Sequence, residues 1–312
     1  MKMPQPIPYQ GSKRNIAHHI LAVMPPGINT LVEPFAGSAA VSVAAAYYRK
    51  AERFHLNDSN QPLMALLKAI IDTPDEIASA YERLWKSQLG RRREFYDEVR
   101  DKFNRTHSPD LLLYLLARCV KASVRYNSTG EFNQSPDNRR RGRRPESMRD
   151  EIKAVSSLLR GRTTVTCEDY KETFNVISAN DLVYMDPPYQ GTSGKRDARY
   201  LGGVDMEELV EFLQLLNDHQ VMYILSYDGR RGNKSYGKQL PSNLDLQHLE
   251  IKAGRSTQST LLGGKDITYE SLYLSPALVA RLRKSPHGKR DELNNARIQA
   301  RICQPKQLEL GI

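Results

Sequence analysis

Apolar and polar positions follow two different patterns along this chain, and the first pattern predicts strands that alternate with helices. Leu31–Val32 begins an apolar strand, a turn of small residues follows, and the Ala-rich stretch Ala39–Tyr48 favours a helix. Arg53–Leu56 predicts a second short strand, which is followed directly by Asn57-Asp58. This order of elements predicts the start of a doubly wound α/β unit.

Helical spacing replaces this pattern from residue 61 to about residue 159. The predicted helices are Pro62–Ile71, Pro74–Trp85 and Pro109–Val124, and each begins with a proline, which is favoured in the first turn of a helix. Between Arg125 and Pro145 the chain becomes polar and strongly basic. We therefore predict an inserted, mainly helical domain over residues 61–159 that ends in a basic loop.

The α/β pattern resumes after this insertion. The predicted strands are Thr163–Cys167, Leu182–Met185 and Val221–Tyr227, with a helix over Met206–Leu216, and Leu244–Lys252 could pair with Thr268–Leu274 as an antiparallel ribbon. One α/β domain is therefore expected from residues 1–60 plus 160–275. The remaining residues, 276–312, form a polar, charged tail that has no strand signal and is compatible with a short helix or with disorder.

Composition and charge suggest a partner without deciding it. Of the 312 residues, 39% are hydrophobic, which is enough for a packed core and excludes global disorder. The 46 Lys and Arg against 36 Asp and Glu give a formal net charge of +10, which favours a polyanion. Charge alone leaves a nucleic-acid partner and a merely basic protein equally open.

Cysteine usage and hydropathy exclude several classes of protein. Cys119, Cys167 and Cys303 lie far apart and form no CxxC pair, so no metal site and no disulfide framework are predicted. The N-terminal residues lack an apolar signal core, and no run of about 18 apolar residues predicts a membrane span. We expect a cytoplasmic protein without a membrane partner, as a monomer or a weak dimer.

The turn Glu33-Pro34-Phe35-Ala36-Gly37-Ser38 is a first candidate for ligand binding. A glycine between a strand and a helix lets a ligand approach the backbone closely. Asp58 lies 21 residues after Gly37, near the spacing of an acid that binds the hydroxyls of a ribose. No GxGxxG pattern and no Walker lysine follow, so a nucleoside is favoured over a diphosphate cofactor. An ordinary strand-to-helix turn remains the alternative for this motif taken alone.

Asp186-Pro187-Pro188-Tyr189, directly after an apolar strand, is the sharpest signal in the chain. Two prolines cannot continue a sheet ladder, so the chain leaves the strand in a fixed extended shape. The Asp186 carboxylate and the Pro187 carbonyl are then two acceptors at the carboxyl end of the sheet, where open α/β folds bind ligands. Two acceptors suit the two N–H groups of an aryl amine, and Tyr189 can stack on its ring. The alternative is a strand stop with a buried aromatic residue.

Two further stretches have a basic and polar character. Pro8-Tyr9-Gln10-Gly11-Ser12-Lys13-Arg14 offers donors around a tight turn that suit a carboxylate. The stretch Arg125-Tyr126-Asn127-Ser128-Thr129-Gly130-Glu131-Phe132-Asn133 precedes a run of arginines that includes Arg139, Arg140 and Arg141. Arginine and asparagine can contact base edges, and an arginine cluster can hold phosphates. A solvated loop is the alternative for such a charge run.

Together, these four stretches resemble the Dam-type, alpha-group family of DNA adenine methylases. The sequences PYQGSK, FAGS, RYNSTGEFN and DPPY occur in the order of that group, and the resemblance extends roughly from Pro8 to Ser275. It implies a Rossmann-like S-adenosylmethionine-dependent methyltransferase sheet with helices on both faces and an inserted target-recognition domain. It also implies methyl transfer from S-adenosylmethionine to N6 of a flipped-out adenine in duplex DNA, without a metal, in a bacterial or phage-type cytoplasm.

The resemblance also implies a role for individual residues. Tyr9 and Lys13 would line the S-adenosylmethionine pocket, and Glu33, Phe35 and Gly37 would surround the methionine part of the cofactor. Asp58 would hold its ribose and Asp169 its adenine. Asp186, Pro187 and Tyr189 would bind the target adenine. DNA contacts would come from Arg125, Tyr126, Asn127, Asn133, Arg139, Arg140 and Arg141.

Two positions depart from the family pattern, and other activities use similar motifs. Ala39 replaces a second glycine, which is a small change, whereas Ser128 and Thr129 replace bulkier residues and leave recognition of GATC open. An RNA adenine or N4-cytosine DNA methyltransferase could use the same DPPY pocket. A DNA-binding module with a decayed cofactor site is the non-enzymatic alternative. No cysteine follows a proline, which argues against a cytosine-carbon methylase.

Overall fold

A computed structural model describes residues 3–188, 204–231, 234–236, 240–255 and 267–284. The strands are β1 (Ile28–Glu33), β2 (Ala51–Asn57), β3 (Thr163–Thr166), β4 (Leu182–Met185), β5 (Met222–Arg231), β6 (Lys234–Tyr236), β7 (Gln247–Arg255) and β8 (Ile267–Leu274). The helices are α1 (Ala17–Ala22), α2 (Ala40–Tyr47), α3 (Gln61–Asp72), α4 (Pro74–Ser87), α5 (Arg92–Thr106), α6 (Pro109–Arg118), α7 (Pro145–Leu159), α8 (Met206–Asp218) and α9 (Pro276–Lys284).

The strands form one mixed sheet in the order β3-β2-β1-β4-β5-β8-β7, and β6 pairs with β5. Strands β1 to β5 pair with one another in parallel, whereas β8 runs antiparallel to both β5 and β7. The strand order reverses between β1 and β4, where Val32 pairs with Val183. The carboxyl ends of these two strands therefore border the crevice in which open α/β sheets bind ligands. The predicted Rossmann-like sheet and the antiparallel β7–β8 ribbon are confirmed.

Successive side chains of a strand point to opposite faces, and the central strands show this directly. In β4, Leu182 and Tyr184 join one hydrophobic cluster, whereas Val183 and Met185 join a second one. The first cluster includes residues of α1 and α2, and the second includes Leu209, Phe212, Leu213 and Leu216 of α8. Because β4 is buried on both faces, its sequence is continuously apolar instead of alternating.

Five helices, α3 to α7, occupy the segment between β2 and β3. Two of them, α5 and α7, were not predicted from the sequence, since both are mostly polar. Their apolar residues nevertheless recur on one face, as with Met148, Ile152, Val155 and Leu159 in α7. The Ser156 hydroxyl donates to the Ile71 carbonyl at 2.6 Å and so ties α7 to α3. Side chains of these helices and of the sheet belong to one contiguous core.

Several predicted boundaries are wrong. Strand β7 begins at Gln247 and not at Leu244, because Ser242–Leu244 forms a 3₁₀ turn and Asp245 has a positive φ of 49°. Helix α6 ends at Arg118 because Cys119 has an extended backbone with ψ 160°, and it cannot resume before Val124 because Lys121 and Ala122 have positive φ angles of 60° and 50°. Strand β5 continues past Tyr227 to Arg231 and pairs there with β6. In the tail, helix α9 buries Leu278 and Val279. Within the described part of the chain, no helix is long and apolar enough to cross a membrane.

Candidate active site

The turn after β1 brings the backbone of Gly37 against two other parts of the chain. Gly37 has φ +51°, and a Cβ atom there would lie 3.2 Å from Cε1 of Tyr9. Its N–H donates to Oδ2 of Asp58 at 2.9 Å, and Oδ1 of Asp58 accepts the N–H of Asn60 at 2.9 Å. Burial raises the pKa of Asp58 above its ordinary value, although these two hydrogen bonds oppose the rise. The acid after β2 is therefore fixed beside the glycine turn, as the spacing predicted.

Glu33, the last residue of β1, is a buried carboxyl group at the base of this turn. Burial raises its pKa to about 8, and the N–H of Ser42, which donates to Oε1 at 2.7 Å, opposes the rise. The carboxylates of Asp186 and Asp58 add smaller upward contributions. An apolar environment and neighbouring negative charges both favour the neutral acid, so a cationic ligand would stabilise the ionised form.

Asp186 follows β4 directly and therefore lies beside the end of β1. Nζ of Lys13, from the N-terminal stretch, lies 3.1 Å from Oδ1 of Asp186 and 3.3 Å from Oε2 of Glu270 on β8. Lys13 is buried, and the two carboxylates are only partly exposed. The pairing brings three distant segments of the chain to one point and orients the Asp186 carboxylate.

A single cavity of about 290 Å³ unites these groups. The predicted residues that line it are Tyr9, Lys13, Glu33, Phe35, Gly37, Asp58, Asp186 and Pro187. Tyr189 lies outside the described residues. Asp169 is not among the described lining residues; its carboxylate accepts the N–H of Lys171 at 2.9 Å and caps the 3₁₀ turn Tyr170–Val176. Its predicted contact with the adenine of a cofactor stays a prediction.

The predicted DNA-contacting stretch folds as a tight hairpin, residues 125–133. Asn127 N–H donates to the Glu131 carbonyl at 2.8 Å, and Asn133 N–H donates to the Arg125 carbonyl at 3.1 Å. The Asn127 side chain closes the turn, since its Oδ1 accepts the N–H of Thr129 and that of Glu131. Arg125 and Asn133 are exposed, so both can reach a partner.

Tyr126 differs from its neighbours in this hairpin because its side chain is buried. Its ring packs edge-on against Phe132, with 6.1 Å between the ring centroids. Its hydroxyl donates to Oδ1 of Asn60 at 3.2 Å, and Asn60 lines the cavity. Tyr126 therefore anchors the hairpin to the cavity in this structure and does not lie on its outer surface.

The arginines that follow lie in what we call the basic segment, residues 134–144. Arg139, Arg140 and Arg141 are exposed, and two of them pair with Asp137: Nε of Arg139 at 3.5 Å and Nε of Arg140 at 3.2 Å. Asp137 is buried, but the Arg139 and Arg140 side chains are exposed, so solvent screens the attraction and these two arginines can exchange partners.

Comparison with known proteins identifies the group to which this arrangement belongs. A family model described as D12 class N6 adenine-specific DNA methyltransferase matches residues 9–257. The chain belongs to this family. The match contains the glycine turn, the hairpin, the basic segment and Asp186-Pro187-Pro188, so the resemblance inferred from the motifs is confirmed.

Individual relatives of this chain agree with the family assignment. The chain is similar to modification methylase StsI of Streptococcus sanguinis, with 24% identity over 82% of this chain and 40% of the relative. It is 32% identical to the retron Ec67 DNA adenine methylase of Escherichia coli over 59% of this chain and 63% of the relative. It is 29% identical to the DNA adenine methylase of Serratia marcescens over 58% of this chain and 65% of the relative. The chain thus spans less than two thirds of the length of each of these relatives.

Several lining residues were not predicted from the sequence. Asn60, Ser123, Val124 and Tyr184 also border the cavity. Asn60 could have been recognised, since it caps α3 by accepting the N–H of Leu63 and follows Asp58 closely. Ser123 and Val124 reach the cavity through a long-range contact, in which Gln10 N–H donates to the Ala122 carbonyl at 2.9 Å. No local pattern reports such a contact.

Proposed function

We propose that this protein is a site-specific DNA methyltransferase that transfers a methyl group from S-adenosylmethionine to N6 of adenine in duplex DNA. One observation supports this most strongly: a single cavity is bordered both by the glycine turn with Asp58 and by Asp186-Pro187-Pro188. A nucleoside cofactor and an amino-bearing base would therefore meet in one place. The family assignment supports the same reaction.

The chemistry of the cavity suits S-adenosylmethionine. The cofactor combines a sulfonium and an ammonium with a carboxylate and a ribose, and the cavity offers carboxyl groups at Glu33 and Asp58 and basic Lys13. Gly37 leaves room for a close approach of the backbone. We propose that Tyr9, Lys13, Glu33, Phe35 and Gly37 hold the methionine part and that Asp58 holds the ribose. Asp169 would contact the adenine of the cofactor.

When bound, the cofactor supplies an electrophilic methyl group. The residues of this chain would act on the nucleophile: the Asp186 carboxylate and the Pro187 carbonyl accept the two N–H groups of the adenine amine. Two accepted hydrogen bonds favour a tetrahedral nitrogen whose lone pair is available. Tyr189 would stack on the base, and proximity with correct orientation would supply much of the rate. The cofactor would give up its methyl group and leave as the neutral thioether S-adenosylhomocysteine, and the amino proton would pass to solvent.

A base inside a duplex cannot reach this cavity, so the target adenine must leave the stack. Flipping costs a few kcal/mol, which contacts in the pocket offset. We propose that the hairpin provides the contacts through Arg125, Asn127 and Asn133, with Tyr126 as its anchor. Arg139, Arg140 and Arg141 would hold phosphates. In this proposal the enzyme acts in a bacterial or phage-type cytoplasm and associates with the nucleoid when it is bound to DNA.

The experiment that tests this proposal is methylation of unmodified bacterial genomic DNA by the purified protein and S-adenosylmethionine. Detection of modified bases by long-read sequencing would show N6-methyladenine at one short motif, which also gives the recognition sequence. N4-methylcytosine instead would change the assigned base. No modified base, in a protein shown to bind S-adenosylmethionine, would favour an RNA substrate, which a parallel assay on structured RNA can detect.

A further inference from the structure

Buried side chains of the helical region hold the backbone of the basic segment. The Tyr81 hydroxyl donates to the Arg143 carbonyl at 2.7 Å, and Nε2 of Gln88 donates to the Arg141 carbonyl at 3.0 Å. Both donors are fully buried in α4 and in the residue after it. The carbonyl groups of the basic segment therefore face the helices, whereas the side chains of Arg139, Arg140 and Arg141 face solvent.

Arg118 is a buried cation that fixes the orientation of Gln88. It is 1% exposed, and its Nη1 donates to Oε1 of Gln88 and, at 3.2 Å, to the Tyr114 hydroxyl. Its Nε and Nη2 have no hydrogen-bond partner, and no carboxylate pairs with it, within the part of the chain that the structure describes. Since the guanidinium can only donate, the amide oxygen of Gln88 must face Arg118. The amide nitrogen is then directed at the Arg141 carbonyl.

Gly142 lies between the two residues, Arg141 and Arg143, whose carbonyl groups accept these hydrogen bonds. Gly142 has φ +81°, and a Cβ atom there would lie 2.9 Å from the Tyr81 hydroxyl and 3.4 Å from Cδ of Arg118. Other residues rarely adopt this φ, and a side chain here would meet the Tyr81 hydroxyl, so glycine suits the close approach of the segment to the helices. The basic segment is thus fitted to the surface formed by Tyr81, Gln88 and Arg118.

We propose that Tyr81 and Gln88, oriented by Arg118, are positioning residues that set the affinity of the enzyme for duplex DNA without touching it. The inference rests on the proposed function, in which the exposed arginines hold phosphates. A segment that is ordered before binding loses less conformational entropy on binding, so its phosphate contacts are stronger. An unanchored segment would keep its charges but lose part of this advantage.

A matched pair of variants separates this role from ordinary stability. Tyr81→Phe removes a hydroxyl that bonds to the basic segment, whereas Tyr223→Phe removes a buried hydroxyl that donates to Asn217 at 3.0 Å in the second hydrophobic cluster, outside the network of Tyr81, Gln88 and Arg118. Binding of a duplex oligonucleotide would be measured by fluorescence anisotropy over a range of salt concentrations. We expect Tyr81→Phe to weaken binding about three- to tenfold, with Tyr223→Phe within about twofold of the wild type. S-adenosylmethionine affinity should stay unchanged in both.

A second variant tests the other hydrogen bond to the basic segment, from Gln88 to the Arg141 carbonyl. Gln88→Glu keeps the side-chain volume and gives Arg118 a carboxylate partner, but places an acceptor against the Arg141 carbonyl. We expect a melting temperature no lower than that of the wild type, together with DNA binding that is about tenfold weaker. Unchanged DNA affinity in both Tyr81→Phe and Gln88→Glu would overturn the inference.

Tyr81→Phe and Gln88→Glu would each be combined with the triple variant Arg139→Ala/Arg140→Ala/Arg141→Ala. This shows whether Tyr81 and Gln88 affect DNA binding through the three arginines. If Tyr81 and Gln88 act through these arginines, their substitution should cause no further loss of DNA affinity in the triple variant. Additive losses would overturn the inference and would indicate a general effect of charge or stability. A triple variant that binds DNA like the wild type would also overturn it and would remove these arginines from the proposed phosphate contacts, but it would leave the proposed methyl transfer standing. Failure of the wild type to bind and methylate duplex DNA would instead remove the proposed function itself.

Discussion

Nζ of Lys13 lies between two carboxylates, 3.1 Å from Oδ1 of Asp186 and 3.3 Å from Oε2 of Glu270. Asp186 follows a buried strand, whereas Lys13 comes from the N-terminal stretch, so the contact joins the predicted cofactor-binding and base-binding parts of the site. Because Lys13 has a second carboxylate partner, a change at Asp186 does not leave a buried ammonium without an ion pair. This allows the role of Asp186 in the chemistry to be tested without loss of the fold.

Asp186→Asn should strongly slow methyl transfer while the cofactor still binds. The amide keeps the size of the side chain but removes the charge that holds the adenine amine, and losses of such electrostatic contacts are typically about a hundred- to a thousandfold in rate. Transfer of labelled methyl groups to a duplex oligonucleotide measures the rate, and calorimetry measures S-adenosylmethionine affinity. Full activity in this variant would contradict the proposed mechanism.

The affinity for S-adenosylmethionine should rise with pH and level off near pH 8. The pKa of Glu33 is raised to about 8 by burial, so below that pH the ligand-free enzyme holds a proton there. A cationic ligand favours the carboxylate, so binding releases the proton and becomes stronger as pH rises, by up to about tenfold per unit. Dissociation constants at pH 6, 7 and 8 test this. Glu33→Gln should show weaker binding with a flatter pH profile; a flat profile in the wild type would remove Glu33 from the cofactor contacts.

The same group should make the ligand-free protein less stable as pH rises. The folded-state pKa of Glu33, about 8, exceeds the ordinary value of 4.5, so the native state binds more protons than the unfolded state between these values. Stability is then lost as pH rises through this window. Glu33→Gln removes this loss and should be more stable than the wild type at pH 8, by about 1–2 kcal/mol. Urea denaturation at pH 5 and pH 8 measures the difference, which should be smaller at pH 5.

Gly37→Ala should weaken cofactor binding beyond its effect on stability. The residue has φ +51°, and the new methyl group would meet Cε1 of Tyr9 at 3.2 Å. Gly27 provides a matched control, since it has φ +75° but no atom within 4 Å of an added Cβ. Both substitutions should lower stability by about 1 kcal/mol. Only Gly37→Ala should also reduce S-adenosylmethionine affinity, by about tenfold; equal affinities in the two variants would argue against close approach of the cofactor to this turn.

The parts of the fold that the sequence predicted best are those with a strong local pattern. Strand β4 was predicted with its observed bounds because four apolar residues precede two prolines, and the glycine turn was predicted because few residues tolerate its φ angle. Helix α5 was missed because a narrow apolar stripe, Phe95, Tyr96, Val99 and Phe103, lies within a charged sequence. Its burial depends on neighbouring helices rather than on its own composition.

In the candidate site, too, residues in local motifs were predicted, whereas partners that depend on tertiary packing were not. Residues in motifs at strand ends, such as Glu33, Asp58 and Asp186, were predicted and do line one cavity, since the carboxyl ends of parallel strands meet at one edge of a sheet. The partners across the cavity were not predicted. The pairing of Lys13 with Glu270 and the contact of Tyr126 with Asn60 depend on tertiary packing between distant segments. The burial of Tyr126 was also not predicted, because its neighbours in the hairpin are polar.

Tyr126→Phe should impair use of DNA more than it impairs folding. Burial raises the pKa of Tyr126 to about 12, so the hydroxyl remains protonated and donates to Oδ1 of Asn60, which lines the cavity. Phenylalanine keeps the packing on Phe132 but releases the hairpin from the cavity wall. Tyr223→Phe is the matched control, since that buried hydroxyl donates to Asn217 at 3.0 Å and Tyr223 is not among the described lining residues. Each variant should lose about 1 kcal/mol of stability.

The two variants should differ in steady-state methylation of duplex DNA. We expect Tyr126→Phe to raise KM for DNA about three- to tenfold, because the exposed Arg125 and Asn133 are then less firmly placed relative to the cavity. Tyr223→Phe should leave KM for DNA within about twofold of the wild type, and neither variant should alter the affinity for S-adenosylmethionine strongly. Equal KM values in the two variants would mean that the Tyr126–Asn60 hydrogen bond stabilises the fold alone and does not position the hairpin.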